Sequence, residues 1–369
     1  MWHEKFAWFD LGQDAGLVHP DGFSIQPDRH VYDLEVVRRF RNLVDVSGLL
    51  DTLTTVPARP ATDDELGRVH PVAFLDEVKR LSALPMGGEV GDSAPVPRGA
   101  FAIAALAAGG AIAAAEAVMN GEVDNAYALL RPAGHHAEPN ESKGFCILSN
   151  AAIATKHILE RCGGERVALV DWDVHHGNGT QAALYDDPRA LTISIHQDRL
   201  YPQDDGFVDQ VGGAGAEGTN LNIPLPPGCG TEAYDDAFDR VVIPAIRRFS
   251  PDVIVVPCGF DAGHMDPMGR MMLTSHDYRR LTRKLMALAD ELCDGKIVFM
   301  HEGGYSRWTV PYYGLAVLEE LSETPTDVVD PFQYYNGIDL GHGLLPHQEA
   351  AVTDALSNVE RVPSRSASA

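Results

Sequence analysis

Two carboxylates and an imidazole stand at alternate positions in the segment Asp171-Trp-Asp-Val-His175. Because side chains alternate along an extended chain, Asp173 and His175 can bind one metal ion together, and Asp171 can support them or hold a second ion. Asp261, which follows Val-Ile-Val-Val-Pro-Cys-Gly-Phe, is the best candidate for a third ligand. Such a set leaves coordination positions open, which is typical of a catalytic zinc, iron or manganese site. The alternative is a group of loop caps and surface acids.

A histidine pair, His135-His136, can supply the proton transfers that hydrolysis needs. A water that attacks an amide must lose a proton and the departing amine must gain one, and a histidine can do either near neutral pH. A histidine base should be oriented through its other ring nitrogen, and Asp171 and Asn178 are plausible partners. The alternative is a pair of solvated loop histidines.

The segment Glu302-Gly-Gly-Tyr305 can complete such a site. Attack on an amide produces an oxyanion, which the neutral hydroxyl of Tyr305 can stabilise. The two glycines allow a sharp turn and a close approach to a ligand. Taken alone, the segment is equally consistent with a Gly-Gly turn followed by a packed tyrosine.

Short apolar runs alternate with longer helical patterns and predict the elements that position these motifs. The runs lack strict alternation, as expected for strands covered on both faces. Strand, helix, strand in succession predicts an α/β fold with a parallel sheet, and the motifs follow strands at the edge where such folds bind ligands. The predicted strands are Tyr127–Leu130, Val167–Val170, Leu191–Ile195, Asn220–Ile223, Val253–Val256 and Ile297–Met300, and the predicted helices are Phe101–Met119, Asn150–Arg161, Glu232–Phe249 and His276–Leu292.

Composition narrows the classes of partner. Among 369 residues, 53 are Asp or Glu and 29 are Lys or Arg, so the net charge of −24 argues against a nucleic-acid partner and would tolerate a cationic substrate. The Ala-rich stretch 100–119 contains two glycines and Glu116, which favours a buried helix over a membrane span. Five scattered cysteines suggest reduced thiols and a cytoplasmic location.

The combined motifs resemble the histone deacetylase family, over roughly residues 20 to 340. They are Gly134-His-His136, Gly144-Phe-Cys146, Asp171-Trp-Asp-Val-His-His-Gly-Asn-Gly-Thr180, Gly259-Phe-Asp-Ala262 and Glu302-Gly-Gly-Tyr305. The tryptophan and Asn178 resemble the class II branch, in particular bacterial histone deacetylase-like amidohydrolases.

The resemblance implies one deacetylase domain over residues 1–369, of arginase/deacetylase type, with about eight parallel strands, a core over 20–340 and a loose tail over 362–369. It implies a zinc-dependent amidohydrolase that removes acetyl or other short acyl groups from acyl-lysine-like substrates. Interaction with nucleic acid or membrane is not expected, and the sequence leaves homo-oligomerisation open.

The resemblance also assigns roles to residues. Zinc would be held by Asp173, His175 and Asp261. His136, oriented by Asn178, would be the base, while His135, paired with Asp171, would give electrostatic support and help protonate the amine. Tyr305 would polarise the carbonyl.

Phe145 and Tyr201 would line an acyl-lysine tunnel bordered by Gly144, Gly303 and Met268, and Asp92 would match the rim aspartate that binds the substrate backbone. A potassium ion would lie behind the zinc loop at Asp171, Asp173, His175, Ser194 and Ile195.

Three departures fall around the pocket. Ala133 replaces the second proline of the usual Pro-Pro-Gly-His-His, Tyr201 stands where phenylalanine is usual, and Met265-Asp-Pro-Met-Gly269 replaces the usual Gly-Asp-Pro-Leu-Gly. In this last segment, Met268 lies where some polyamine-selective relatives have glutamate. An acetylpolyamine amidohydrolase is therefore one alternative, which the acidic balance favours and Met268 does not. A silent acyl-lysine-binding module is a second alternative, which the intact proton-transfer residues oppose. An arginase-like two-metal site would need more carboxylates near His135.

Overall fold

A computed structural model describes residues 1–11, 28–333 and 343–365, and its centre is a six-stranded parallel sheet. The strands are β1 (Asn125–Ala128), β2 (Val167–Asp171), β3 (Ala190–Gln197), β4 (Asn220–Leu225), β5 (Val253–Cys258) and β6 (Ile297–His301). Their order across the sheet is β1-β6-β5-β2-β3-β4, so the chain crosses over repeatedly through helices. Five predicted strands are confirmed and are one to three residues longer than predicted, while the first begins and ends two residues before the predicted Tyr127–Leu130.

The expected strand number of about eight is not reached among the described residues of this sheet. Two further ladders, Gly88–Glu89 with Pro95–Val96 and Gly91–Asp92 with Ser142–Lys143, are two residues long and stand apart from it. The prolines of the segment 84–99 remove backbone donors, and its glycines offer no side chain to pack, so these ladders stay short.

Helices cover both faces of the sheet. The helices are α1 (Glu35–Val46), α2 (Asp63–Leu66), α3 (Val72–Ala83), α4 (Ala100–Met119), α5 (Asn150–Arg161), α6 (Asn178–Leu184), α7 (Thr231–Ala237), α8 (Ile243–Phe249), α9 (Ser275–Cys293), α10 (Val310–Leu321) and α11 (Pro346–Leu356). Val167 and Leu169 pack toward α4 and α5, whereas Ala168 and Val170 pack into the larger core with α1, α9 and α10, as alternation along a strand requires.

The apolar helix α4 is buried, as predicted. It is long and apolar enough to cross a membrane by length and composition, but 72% of its most apolar window is buried inside the protein. It packs against α5 and β1, so its apolar surface is used in the core.

The predicted helix 232–249 is interrupted by a π-helical turn, Phe238–Val242, between α7 and α8. Pro244 lies in the first turn of α8 and cannot donate a backbone hydrogen bond, which accounts for the altered pairing just before it.

The expectation of a loose tail is wrong for residues 362–365. Val362 is buried, and its carbonyl accepts a hydrogen bond from the guanidinium of Arg248. Arg365 pairs with Asp252 at 2.7 Å, and Arg166 donates to the carbonyl of Pro363. Polar partners on the body of the protein therefore hold this small, polar segment. Residues 366–369, and the expected core limits at 20 and 340, lie outside the described residues.

Candidate active site

Three potential metal ligands meet beyond the carboxyl ends of β2 and β5. Asp173, His175 and Asp261 are buried, and their donor atoms lie within 4.8 Å of one another. Nδ1 of His175 is 3.0 Å from Oδ1 of Asp173 and 3.2 Å from Oδ2 of Asp261. The structure thus brings together the three residues that the sequence singles out.

Backbone hydrogen bonds hold the two carboxylates of this group in place. Val174 donates to Oδ1 of Asp261 at 2.7 Å, and Gly303 donates to Oδ2 of Asp173 at 2.8 Å. A Cβ atom on Gly303 would lie 2.3 Å from an oxygen of Asp261 and 2.6 Å from one of Asp173, so any side chain there would displace both carboxylates. Gly303 therefore approaches the ligands themselves.

The charges of the group fit a cation. Burial would lower the pKa of His175, but hydrogen bonds with Asp173 and Asp261 raise it to about 10. Burial and the nearby Asp173 carboxylate raise the pKa of Asp261. The His175 imidazole is thus the nearest positive partner of two buried carboxylates. A divalent ion bound by oxygen and nitrogen donors would neutralise the negative charge of both carboxylates.

The histidine pair lies beside this group, and a separate partner orients each ring. Nδ1 of His135 is 3.0 Å from Oδ2 of Asp171. Nδ1 of His136 is 2.7 Å from Oδ1 of Asn178, whose Nδ2 donates to Glu138. Because the bond to Glu138 leaves the amide oxygen of Asn178 facing His136, the proton of His136 belongs on Nδ1 and its Nε2 is an acceptor.

The two histidines are shifted in opposite directions. Burial lowers the pKa of His135, but the charges of Asp173 and Asp171 outweigh it and raise the pKa well above its usual value. Burial lowers the pKa of His136 well below its usual value, and the positive charges of His135 and His175 lower it further. A cationic and a neutral histidine side by side are suited to separate acid and base roles.

Tyr305 faces the group from the loop after β6. Its ring lies 6.3 Å from the ring of His175 and 6.1 Å from that of Phe145. Burial, with the charge of Asp261, raises the pKa of Tyr305 well above its usual value, so its hydroxyl is a neutral donor. Oδ2 of Asp266 accepts the backbone N–H groups of Tyr305 at 2.7 Å and Ser306 at 3.1 Å, which fixes this loop.

Aromatic rings form the walls of the cleft. Phe145 stacks on Tyr32 at 5.4 Å, and the ring of Tyr201 stands edge-on to His136 at 4.9 Å. Gly144 has a φ of +49°, and a Cβ atom there would lie 2.3 Å from the His136 ring, so the two walls meet over the histidine pair. Met268 is half-buried and donates its N–H to Oδ1 of Asp266.

The residues expected at a potassium site lie behind the ligand loop. Asp171 and Ser194 are paired across β2 and β3, and Ile195 follows in β3. Oδ1 of Asp171 accepts the N–H of Asp173 at 3.0 Å, while the Ser194 hydroxyl lies 3.2 Å from Nδ1 of His176. The structure therefore brings the expected oxygen-bearing groups into one region.

Sequence reasoning gave no role to Glu302, which the structure places at the centre of the site. Its Oε2 accepts the backbone N–H groups of Gly134 at 2.7 Å and His135 at 3.0 Å. Burial raises its pKa to about 7. An acidic residue directly after a buried strand and before two glycines was the available signal.

Glu302 also belongs to a second buried group with His135 and Cys146, whose donor atoms lie within 4.8 Å of one another. Burial, followed by the charge of Glu302, raises the pKa of Cys146 well above its usual value. A protonated thiol is a poor metal ligand, so the first group is the better metal site.

Comparisons with known proteins agree with this site. The histone deacetylase domain family matches residues 30–321. A histone deacetylase-like amidohydrolase of Pseudomonas aeruginosa is 46% identical over 333 residues, which cover 89% of this chain and 87% of the relative. A probable deacetylase of Archaeoglobus fulgidus is 36% identical over 87% of this chain and 85% of the relative. The crystal structure of the HDA15 HD domain has a TM-score of 0.80 at 31% identity and covers 92% of each chain.

The chain belongs to the histone deacetylase family. The predicted family and the predicted α/β fold class are confirmed. As a member of this family it is an amidohydrolase of the deacetylase type.

Proposed function

We propose that this protein is a zinc-dependent deacylase that removes acetyl or other short acyl groups from the ε-amine of acyl-lysine-like substrates. The observation that carries the proposal is the buried group of Asp173, His175 and Asp261, placed between the histidine pair and Tyr305. A silent binding module would have no use for this arrangement, because it performs no proton transfer.

Asp173, His175 and Asp261 would hold one zinc ion, since two carboxylates and one imidazole suit zinc and leave positions open for ligands. When bound, zinc acts as a Lewis acid that polarises the substrate carbonyl and acidifies water. Asp171, Asp173, His175, Ser194 and Ile195 would hold a structural potassium ion, a proposal supported by the pairing of Asp171 with Ser194.

The side chains around the ligands would move the protons. Nε2 of neutral His136 would take the proton of the attacking water, because Asn178 keeps the other ring proton on Nδ1. His135, held cationic by Asp171 and Asp173, would stabilise the developing negative charge and help protonate the leaving amine. The Tyr305 hydroxyl would donate a hydrogen bond to the oxyanion.

The aromatic walls of the cleft favour a substrate with a slender apolar chain. Tyr201 stands beside His136 and Phe145 stands beside Tyr305, so the methylene groups of an acylated lysine would lie between two rings. Met268 supplies no carboxylate for the second ammonium of a polyamine. The net charge of −24 is diffuse and is screened within about 10 Å at ordinary salt, so it selects weakly.

The deciding experiment measures kcat/KM for an acetyl-lysine peptide beside N-acetylputrescine and N8-acetylspermidine, at one salt concentration. We expect the peptide to be preferred. A preference of about tenfold or more for a polyamine, equivalent to roughly 1.4 kcal/mol, would instead assign an acetylpolyamine amidohydrolase. Hydrolysis of none of the three would refute the proposed activity. The cytoplasmic location and the extent of the domain over residues 1–369 stay predictions.

A further inference from the structure

A hydrogen bond joins the tunnel wall to the rim of the cleft. The hydroxyl of Tyr201 donates to Oδ2 of Asp92 at 3.0 Å, across a sequence separation of 109 residues. Asp92 is exposed and Tyr201 is partly buried, so this bond lies at the mouth of the cleft. The other oxygen of Asp92 accepts the hydroxyl of Ser93 at 3.0 Å, and the carboxylate keeps further lone pairs for a ligand.

Tyr201 is anchored at both of its ends. Its backbone carbonyl accepts the N–H of His176 at 3.1 Å, and His176 directly follows the potential ligand His175. Its ring lies edge-on to His136 at 4.9 Å, and its hydroxyl reaches Asp92. Tyr201 therefore spans the distance from the ligand loop to the rim with a rigid aromatic ring.

The backbone of Asp92 is also fixed. Gly91–Asp92 pairs with Ser142–Lys143, and the N–H of Gly144 donates to the carbonyl of Asp92 at 3.1 Å. With the backbone held by one wall and the side chain held by the other, the carboxylate stands at a set distance from the catalytic histidines. A phenylalanine at position 201 would fill the wall but leave the carboxylate held only by the hydroxyl of its neighbour Ser93.

We propose that the Tyr201 hydroxyl is a specificity-determining group that holds Asp92 as a fixed acceptor for an N–H donor of the substrate. It would select acylated amines whose chain carries a backbone amide N–H at the distance set by a lysine side chain. This inference rests on the proposed deacylase function. It explains why the tyrosine hydroxyl points to the rim and away from the reacting centre.

The experiment compares an acetyl-lysine peptide with N-butylacetamide, which carries the same acetamide and alkyl chain without a backbone. The variants are Tyr201→Phe, Asp92→Ala and the double variant, with Tyr185→Phe as a control outside the cleft. In Tyr201→Phe, the ratio of kcat/KM for the peptide to that for N-butylacetamide should fall about two- to tenfold, as typical for one hydrogen bond. The fall should appear in KM for the peptide, with zinc content unchanged.

In the Asp92→Ala background, Tyr201→Phe should cause little further fall, because the two groups act through one bond. An equal loss for both substrates, or a full effect of Tyr201→Phe without Asp92, would overturn the inference and leave the deacylase function standing. Failure of the unaltered protein to hydrolyse the peptide would overturn both.

Discussion

The floor and the rim of the cleft are built differently. The floor comprises Asp173, His175, Asp261 and the histidine pair, all buried and held by hydrogen bonds from the backbone or from neighbouring side chains. The rim comprises Asp92, Tyr201 and Met268, which are exposed or half-buried and lie outside the central sheet.

Two of the three departures from the usual family motifs, Tyr201 and Met268, fall on this rim. The hydrogen bonds of the floor fix the geometry of the reacting groups, so a substitution there disturbs the reaction. Exposed residues at the rim can change without disturbing that geometry. Changes in the floor should therefore lower activity toward every substrate, and changes in the rim should alter the choice among substrates.

Asp261→Ala should have the largest effect. It removes one of the three proposed zinc ligands and the acceptor of the Val174 N–H, so zinc binding and hydrolysis of all substrates should be lost together. Metal content and turnover are measured on the same sample, and Asp76→Ala, an exposed change on α3, should keep both. Full zinc occupancy in Asp261→Ala would contradict the assignment.

Tyr305→Phe should keep the metal and lose most of the rate. Removing one donor to an oxyanion typically costs roughly 10²–10³ in turnover. The substrate should be an unactivated acetyl-lysine peptide, because a trifluoroacetyl group could mask the loss. Tyr312→Phe, on α10 away from the histidine pair, is the matched control. Near-normal turnover of Tyr305→Phe would exclude the proposed role.

Asn178→Ala should have a smaller effect. Nδ1 of His136 would lose its acceptor, and removal of a partner that orients an active-site histidine typically costs roughly 10–100-fold. Asn178→Asp retains an oxygen at that position and should recover part of kcat. Equal rates in Asn178→Ala and the unaltered protein would mean that other contacts set the ring orientation.

Met268→Glu should have the smallest effect and the most selective one. A half-exposed carboxylate can pair with the second ammonium of a polyamine, and such pairs change binding by about two- to fivefold. The kcat/KM for N8-acetylspermidine should rise relative to the peptide, whereas Val329→Glu, which adds the same charge at an exposed position, should leave the ratio unchanged. If the ratio rose equally in both variants, the gain would come from the added negative charge in general and not from its position at the cleft.

The sequence predicted the residues of the floor better than the residues that hold the surrounding loops in place. Asp173, His175 and Asp261 follow strands whose apolar runs are plain, and parallel strands bring their carboxyl ends to one edge. Glu302 and Asp266 act by accepting backbone N–H groups from residues far along the chain. Sequence motifs and hydrophobic periodicity carry no information about such long-range contacts. The roles of Glu302 and Asp266 could therefore be recognised only from the folded structure.

The difference is similar for secondary structure. The helix Asn150–Arg161 was predicted with its observed limits, because local pattern decides it. The docking of residues 362–365 depends on Arg166, Arg248 and Asp252, which lie in other elements. Small polar composition alone predicted a loose tail, since it carries no information about distant partners.

The most direct test of the central claim is metal removal and return in the unaltered protein. Dialysis against a chelator should abolish hydrolysis of the acetyl-lysine peptide, and one equivalent of zinc per chain should restore it. The stoichiometry should be zero and then one by metal analysis. Retention of turnover in protein shown to contain no metal would contradict the account.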